Sequence, residues 1–288
     1  MYPVLFRIGD FAVTSFGVMM ALSFLGGGWL AAKELQRKGE NPELAWELVW
    51  YAAIGGVVGA RLYYLILTWS QTVADPWGAI TSRGGLVWYG GLIGGAALVY
   101  WRLRKANLPV LRVADAVAPA LAVAYAIGRL GCFLVGDDYG RPTDLPWAIA
   151  FPNGAPPSTA ENLRTQFGVD IPPGVSGDTV LAVHPTQLYE IGMALIIFAI
   201  LWRLRERISP TGALFFIYVA LSGVERFIVE IFRAKDDRFF GMFTMAQLIS
   251  LVLAIAGVAG AAYLMSGRRG RSDPPVPVAG SRPARSSR

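Results

Sequence analysis

Residues 113–135 read VADAVAPALAVAYAIGRLGCFLV, an apolar run interrupted by Asp115 near its start and Arg129 near its end. The run exceeds the about 20 residues that cross a bilayer as a helix, so it reads as a membrane span. An unpaired guanidinium in hydrocarbon costs from about 3 to about 10 kcal/mol or more, and an arginine kept there faces a cavity that holds an anion. Gly128 and Gly131 flank Arg129, and the chain leaves the membrane soon afterwards through Gly136-Asp137-Asp138-Tyr139-Gly140-Arg141. The guanidinium therefore belongs just below the membrane surface, on the side where the chain emerges.

The remainder of the chain is of the same kind. Of its 288 residues, 54% are hydrophobic and 16% charged, against about 25% charged in a soluble domain. Mean hydropathy is +0.46. Further apolar stretches fall at 12–21, 45–68, 86–101, 187–202, 212–232 and 242–265. The fold class expected is an all-α polytopic membrane protein with about seven transmembrane helices, two of them short, and a small extracytoplasmic head between helices 4 and 5. The first stretch has no basic segment before it and no small-residue cleavage site, so it reads as a span rather than a signal peptide.

Placing Lys33, Arg37 and Lys38 on the cytoplasmic side assigns sixteen of the twenty-six basic residues to cytoplasmic loops and tail. The positive-inside rule then gives an outer N-terminus and a cytoplasmic C-terminus, in agreement with an odd number of spans. A net charge of +6 would suit nucleic acid, but the excess lies beside spans and in the tail, where it meets anionic lipid, and nucleic-acid binding is rejected. One cysteine, Cys132, excludes an internal disulfide and any multi-cysteine metal site.

Four regions follow: transmembrane helices 1–4 over 1–136, an extracytoplasmic head over 137–183, transmembrane helices 5–7 over 184–266, and a disordered basic cytoplasmic tail over 267–288. The head carries Pro142, Pro146, Pro152, Pro156, Pro157, Pro172 and Pro173, which argue for turns and short strands around Trp147 to Phe151 rather than long helices. No repeat of 20 to 50 residues and no inverted halves are visible, against a repeat-built transporter. Gly55, Gly56, Gly59, Gly90, Gly91, Gly94 and Gly95 stand at small-xxx-small spacings that suit helix packing, and Gly90 and Gly91 beside Tyr89 would also admit backbone contact with a ligand.

Ionisable residues inside spans are functional candidates by default. Here they are Arg61, Asp115, Arg129, Glu190, Arg226, Glu230 and, less deeply, Glu225. Arg226 and Glu230 stand at i and i+4 with Arg233 seven residues on, so one helix face alternates plus, minus, plus. That ladder either fixes helix packing by mutual neutralisation or serves a ligand. Arg129 and Arg226, each near the outer end of its span, make a fork-geometry clamp suited to phosphate, and a phospholipid headgroup is the obvious anion. The only histidine opens His184-Pro185-Thr186-Gln187-Leu188-Tyr189-Glu190, where proline starts a helix and a polar face enters the membrane. His184 is read either as structural support or as a catalytic group. No Gly-x-Ser-x-Gly, His-Glu-x-x-His or Walker sequence is present.

These motifs together resemble the bacterial prolipoprotein diacylglyceryl transferases: Gly128-Arg129-Leu130-Gly131 through Gly140-Arg141, His184 through Glu190, Glu225-Arg226-Phe227-Ile228-Val229-Glu230-Ile231-Phe232-Arg233, and Gly90-Gly91-Leu92-Ile93-Gly94. Asp115 and Arg61 also fall where such enzymes carry Asp and Arg. The resemblance implies an enzyme of the bacterial inner membrane. It would transfer the diacylglyceryl group of phosphatidylglycerol to the thiol of a preprolipoprotein lipobox cysteine, forming a thioether and releasing glycerol 1-phosphate. No metal or diffusible cofactor is implied.

Under that reading Arg129 and Arg226 bind and activate the lipid phosphate by electrostatic preorganisation, and Glu230 orients Arg226. Arg61, Gly90, Gly91 and Arg233 complete the lipid-binding set. Asp137, Gly140 and Arg141 shape the outer mouth, with His184, Gln187, Tyr189, Glu190 and Asp115 as support. Tyr89 joins Arg129 and Arg226 as a catalytic candidate: it stands where the family often has histidine, and although a phenol of pKa ~10 is a poor base at neutral pH, its hydroxyl can orient a phosphate or thiol. The reading therefore leans on arginine-assisted formation of the thiolate from a thiol of pKa ~8.5. Cys132 stands where an asparagine is often found. The rival reading is a non-enzymatic phospholipid or small-anion carrier, which predicts no chemical change in the lipid.

Overall fold

A computed structural model describes residues 1–9, 11–81, 85–234, 238–239 and 243–267. Among them are seven helices of eighteen residues or more: α1 Ser15–Arg37, α2 Glu43–Leu67, α5 Trp88–Lys105, α6 Val110–Val135, α8 Thr186–Leu204, α9 Ala213–Phe232 and α10 Met245–Ser266. Three shorter ones join them, α3 Trp69–Ala74, α4 Pro76–Thr81 and α7 Ala160–Thr165. Three antiparallel two-stranded pairings complete the architecture, β1 Val4–Ile8 with β2 Phe11–Thr14, β3 Ile149–Ala150 with β4 Ala182–Val183, and β5 Arg238–Phe239 with β6 Phe243–Thr244.

Five of the helices, α1, α2, α6, α8 and α10, are long and apolar enough to cross a membrane, which makes the chain a multi-pass membrane protein. The other two long helices carry charge: α5 ends on Arg102, Arg104 and Lys105, and α9 holds Glu225, Arg226 and Glu230. The first helix is longer than the apolar stretch at 12–21 predicts. Residues 11–14 are strand, and the helix runs on through Gly26-Gly27-Gly28 to Arg37. The expected basic tail at 267–288 lies outside the described residues apart from Gly267.

The described chain divides into two units, residues 28–116 and residues 1–27 with 117–267. In the first, α2 and α5 pack backbone to backbone. A Cβ built on Gly59 would lie 2.8 Å from Gly94 Cα, and one on Gly55 would lie 2.9 Å from Leu98 Cβ. Only glycine permits that approach, so the small-xxx-small spacing serves helix packing, as its sequence spacing predicts. Ion pairs decorate this unit: Arg102 holds Glu47 through Nε at 2.5 Å and Nη2 at 2.8 Å, and Arg112 Nε meets Glu40 at 2.9 Å while its Nη2 donates to the Lys38 carbonyl.

In the second unit, α9 and α10 repeat the device, with Gly223 against Ser250 and Ala254 and Gly257 against Ala220. Thr244 and Gln247 form a capping box that starts α10, satisfying two of the amides a helix start leaves bare. Leu201 and Leu214 pack with Ala118 and Ala122 in an apolar core of α6, α8 and α9. Tyr139, Phe151, Ala160, Leu163, Ile171 and Val183 form a second core with Ala234, against which Met1 and Phe133 pack. The Tyr139 hydroxyl donates to the carbonyls of Pro156 and Pro157, and Ser158 Oγ accepts from the Phe151 amide while donating to the Leu181 carbonyl. β3 lies within the stretch expected to hold a short strand.

Candidate active site

The last turns of α6 carry Tyr125, Arg129 and Cys132 on one face, and the first turns of α8 carry Gln187 and Glu190, both fully buried. The end of α9 supplies Arg226 and Glu230, with Arg233 as its C-cap. Three arginines and three carboxylates from these elements form a closed ring of alternating charge. Arg129 pairs with Glu190. Glu190 Oε1 is 3.3 Å from Arg226 Nη1, and Arg226 Nη2 is 2.6 Å from Glu230 Oε2. Glu230 Oε2 then faces Arg233 Nε at 3.8 Å. Arg233 Nη2 reaches Asp138 Oδ1 at 2.6 Å, and Asp138 Oδ2 closes the ring on Arg129 Nη1 at 3.1 Å.

Exposure separates the members. The side chains of Glu190, Glu230, Arg129 and Arg233 are 0, 2, 12 and 13% exposed, whereas Arg226 and Asp138 are 31 and 39% exposed. The ring is most open at Arg226 and Asp138. Tyr125 steadies the buried side by donating its hydroxyl to Glu190 Oε1 at 3.0 Å.

The loop after α6 is shaped by Gly136 at φ +73° and Asp138 at φ +57°. Its backbone is pinned by the start of α8: Gln187 donates its side-chain amide to the Asp137 carbonyl, and Thr186 Oγ1 donates to the Asp138 carbonyl at 2.6 Å. Gly140 then donates to the His184 carbonyl and Arg141 to the Phe232 carbonyl. A Cβ on Gly140 would lie 2.7 Å from His184 Cβ, so the loop closes only on glycine. Arg141 Nε donates to the Arg233 carbonyl at 3.1 Å. Gly140 and Arg141 thus tie three segments together rather than contributing charge to the ring.

Charge in the loop is unequal. Partial burial works to raise the Asp138 carboxyl, but Arg233 and Arg129 outweigh it and bring it down to about 2. Asp137 goes the other way: burial, and then the neighbouring Asp138 charge, push it up to about 6. Cys132 is a buried free thiol whose Sγ accepts from Arg129 Nη1 at 3.6 Å. Ligand atoms of Cys132, Asp137 and Asp138 lie within 4.8 Å of one another. Two guanidiniums already claim Asp138 and one faces Cys132, so this corner suits anion chemistry and not a cation.

His184 Nδ1 faces the Tyr189 hydroxyl at 3.1 Å, which accepts from Trp147 Nε1 at 2.7 Å. Tyr189 and Trp147 line an open, largely apolar groove of about 660 Å³ with Ile149, Pro185 and Leu188. The His184 ring also packs 5.2 Å from Phe232. His184 is thereby built into an aromatic wall beside the charge ring and is not one of its six members.

The remaining sequence candidates belong to residues 28–116. Arg61 donates to the carbonyls of Ala79 and Gly85, the latter at 3.2 Å, and so holds α4 and the turn before α5. Tyr89 is partly exposed at the start of α5 with its ring 5.2 Å from Trp88. Gly90 and Gly91 face Gly59 and Gly56 of α2. Asp115 is buried near the N-terminal end of α6, where it partly offsets the lowering of the Lys38 amine by burial.

Three members of the site are not among the residues the sequence singles out. Asp138 lies inside the motif that follows α6, Thr186 beside the histidine, and Tyr125 four residues before Arg129, a spacing that places it on the arginine's face.

Residues 3–263 match the family described as prolipoprotein diacylglyceryl transferase. The chain is 34% identical to the phosphatidylglycerol–prolipoprotein diacylglyceryl transferase of Clostridium tetani over 90% of its length and 96% of that protein's. It is 33% identical to the protein of that name from Vibrio cholerae, over 89% of each chain, and 33% identical to that of Trichormus variabilis, over 93 and 91%. A match over nearly the whole chain, together with an arginine ring assembled from the same motifs that carry the resemblance, makes this chain a member of the prolipoprotein diacylglyceryl transferase family.

Proposed function

We propose that this protein transfers the diacylglyceryl group of phosphatidylglycerol to the lipobox cysteine of a preprolipoprotein signal peptide, the first step of bacterial lipoprotein maturation. The observation that carries the reading is the ring, in which Arg129 and Arg226 share Glu190 among apolar helices. In the reaction the peptide sulfur forms a bond to the glyceryl carbon and the bond from that carbon to the phosphate oxygen breaks. The thiol proton is balanced on the departing glycerol 1-phosphate. Negative charge grows on the leaving oxygen, and donors fixed in advance stabilise it without reorganising. Arg226, the more exposed arginine, meets the phosphate first, and Arg129 and Arg233 take up its oxygens from the buried side. Their field also favours thiolate over thiol in the incoming peptide. Cys132 is not the nucleophile.

The same reading takes α5 and α9 as spans alongside the five apolar helices, for seven in all, with the N-terminus outside and the C-terminus cytoplasmic in the inner membrane. Residues 137–183 are then an extracytoplasmic head beside the ring, and 267–288 a basic cytoplasmic tail. Lipid and signal peptide both arrive laterally from the bilayer.

The test is to incubate the purified protein in detergent with phosphatidylglycerol and a lipobox peptide, weigh the peptide and assay glycerol phosphate. A diacylglyceryl mass increase with stoichiometric glycerol phosphate is expected. Unmodified peptide, under conditions in which a related enzyme works, would return the carrier reading.

A further inference from the structure

The ring has one member unlike the rest. Five of its side chains project from helices or a helix cap, whereas Asp138 comes from a loop, in left-handed backbone, with the most exposed side chain of the six. Its two carboxylate oxygens each take a terminal guanidinium nitrogen from a different arginine, Arg129 Nη1 and Arg233 Nη2. Two converging guanidiniums on a pair of oxygens is also the geometry in which arginine recognises a phosphate.

The charge balance points the same way. Three arginines face Glu190, Glu230 and Asp138, so the closed ring has no formal positive charge left for a lipid phosphate. Glu190 and Glu230 are buried between arginines on helices, and moving either to solvent would strip a buried cation of its partner, which is strongly unfavourable. Asp138 is held in place through its backbone carbonyl, by Thr186, and not through its side chain alone. Its carboxylate can rotate into water while the loop stays where it is.

We propose that Asp138 is an internal stand-in for the substrate phosphate: its carboxylate competes with the phosphate group for Arg129 and Arg233, yields to it when lipid binds, and returns to displace glycerol 1-phosphate after transfer. Asp138 thereby sets the apparent affinity of the arginine site for phosphate. The inference rests on the transferase reading for the identity of the ligand, but the competition itself concerns any phosphate monoester or diester at these two arginines.

The decisive variant is Asp138→Asn, since asparagine keeps the shape and tolerates the left-handed backbone. KM for phosphatidylglycerol and inhibition by glycerol 1-phosphate are measured for both proteins, and glycerol 1-phosphate is titrated calorimetrically into each detergent-purified protein. Removing a competitor raises apparent affinity by the inverse of the fraction of time the site is free, so KM should fall and glycerol 1-phosphate should bind more tightly, each by about threefold to tenfold. A merely structural carboxylate would move both the other way, so an unchanged or raised KM with unchanged or weaker glycerol 1-phosphate binding overturns the proposal. If neither protein transfers lipid, the transferase reading fails and the titration alone decides, tighter binding by D138N supporting the competition and equal or weaker binding overturning it. Asp138→Gly, which also accepts φ +57°, replaces the asparagine variant should that one not fold. Loss of folding in both would overturn the proposal, because it would make the carboxylate a structural member.

Discussion

Arginine meets carboxylate in both units of the molecule, in opposite ways. In residues 28–116 Arg102 and Glu47 form a private pair, one guanidinium taking both oxygens of one carboxylate. In residues 117–267 every carboxylate of the ring is shared by two arginines and every arginine by two carboxylates. A private pair is finished chemistry, with each charge cancelled by a single partner. A shared ring leaves each guanidinium partly committed, so a new anion can be taken up by rearranging partners and without creating a bare charge. Under the proposed function, the difference separates an arginine that holds helices from arginines positioned to receive a ligand.

The largest effects should come from breaking the ring. Arg129→Ala is expected to lower lipidation by about a thousandfold or more while membrane insertion persists, since a removed oxyanion donor alone costs about 10²–10³. Retained activity in the purified assay would end its assigned role. Glu190→Gln removes the anion common to Arg129 and Arg226, and leaving buried charge uncompensated should cost about 3–5 kcal/mol of stability. Thermal unfolding in detergent reads that loss, and an unchanged midpoint would show that the ring tolerates an open link.

Next in size is the backbone packing of α2 on α5 in residues 28–116. Gly59→Leu drives a side chain into Gly94, where a Cβ alone already lies 2.8 Å from the Gly94 Cα. Overpacking of this kind costs about 1–3 kcal/mol, so the unfolding midpoint should fall while KM for lipid in the surviving protein holds. A change in KM with no change in the midpoint would bring α2 and α5 into ligand binding, as the sequence allows for Gly90 and Gly91.

Much of the architecture is legible in the sequence. Hydropathy marks seven helical stretches, and the i, i+4, i+7 spacing of Arg226, Glu230 and Arg233 puts them on one face, where they are found paired. The first helix reads as too short because Gly26-Gly27-Gly28 and then Lys33 and Glu34 interrupt its apolar run, although glycine there permits contact, Gly27 against Ala124 and Gly28 against Trp46. Asp138 is illegible for a different reason. Its role depends on a left-handed turn that swings the carboxylate onto arginines nine residues before it and ninety-five after it, and no sequence period encodes that return. Tyr125 gives no signal either, being one hydroxyl in an alanine-rich helix. Arg61 donates to the carbonyls of Ala79 and Gly85, contacts that hydropathy and charge along the chain do not encode.

A smaller effect should appear in pH dependence. Asp137, raised to about 6 by burial and by Asp138, is neutral below that pH and anionic above it. A second negative charge beside the ring opposes an anionic lipid, so KM for phosphatidylglycerol should rise a few-fold as pH increases through about 6. Asp137→Asn should flatten that rise. The sign is fixed by the raised value: a group with an ordinary carboxyl pKa of about 3.9 would place the change about two units lower. A rise that persists in the variant would move the titration to another group.

The smallest effect belongs to the private pair, and it is the one that sharpens the comparison most. Arg102 and Glu47 are both substantially exposed, at 23 and 38%, and exposed pairs contribute about 0–1 kcal/mol because solvent screens them and two long side chains must be held still. Arg102→Gln should therefore shift the unfolding midpoint by about a degree or two at most, weaken further in effect as salt is added, and leave transfer unaltered. Substitution of Arg226 should keep its effect at the same salt, since its partners Glu190 and Glu230 are buried and share charge in a circle. Equal salt sensitivity of the two classes would mean that sharing confers nothing that private pairing lacks, and the ring would then be packing rather than a site.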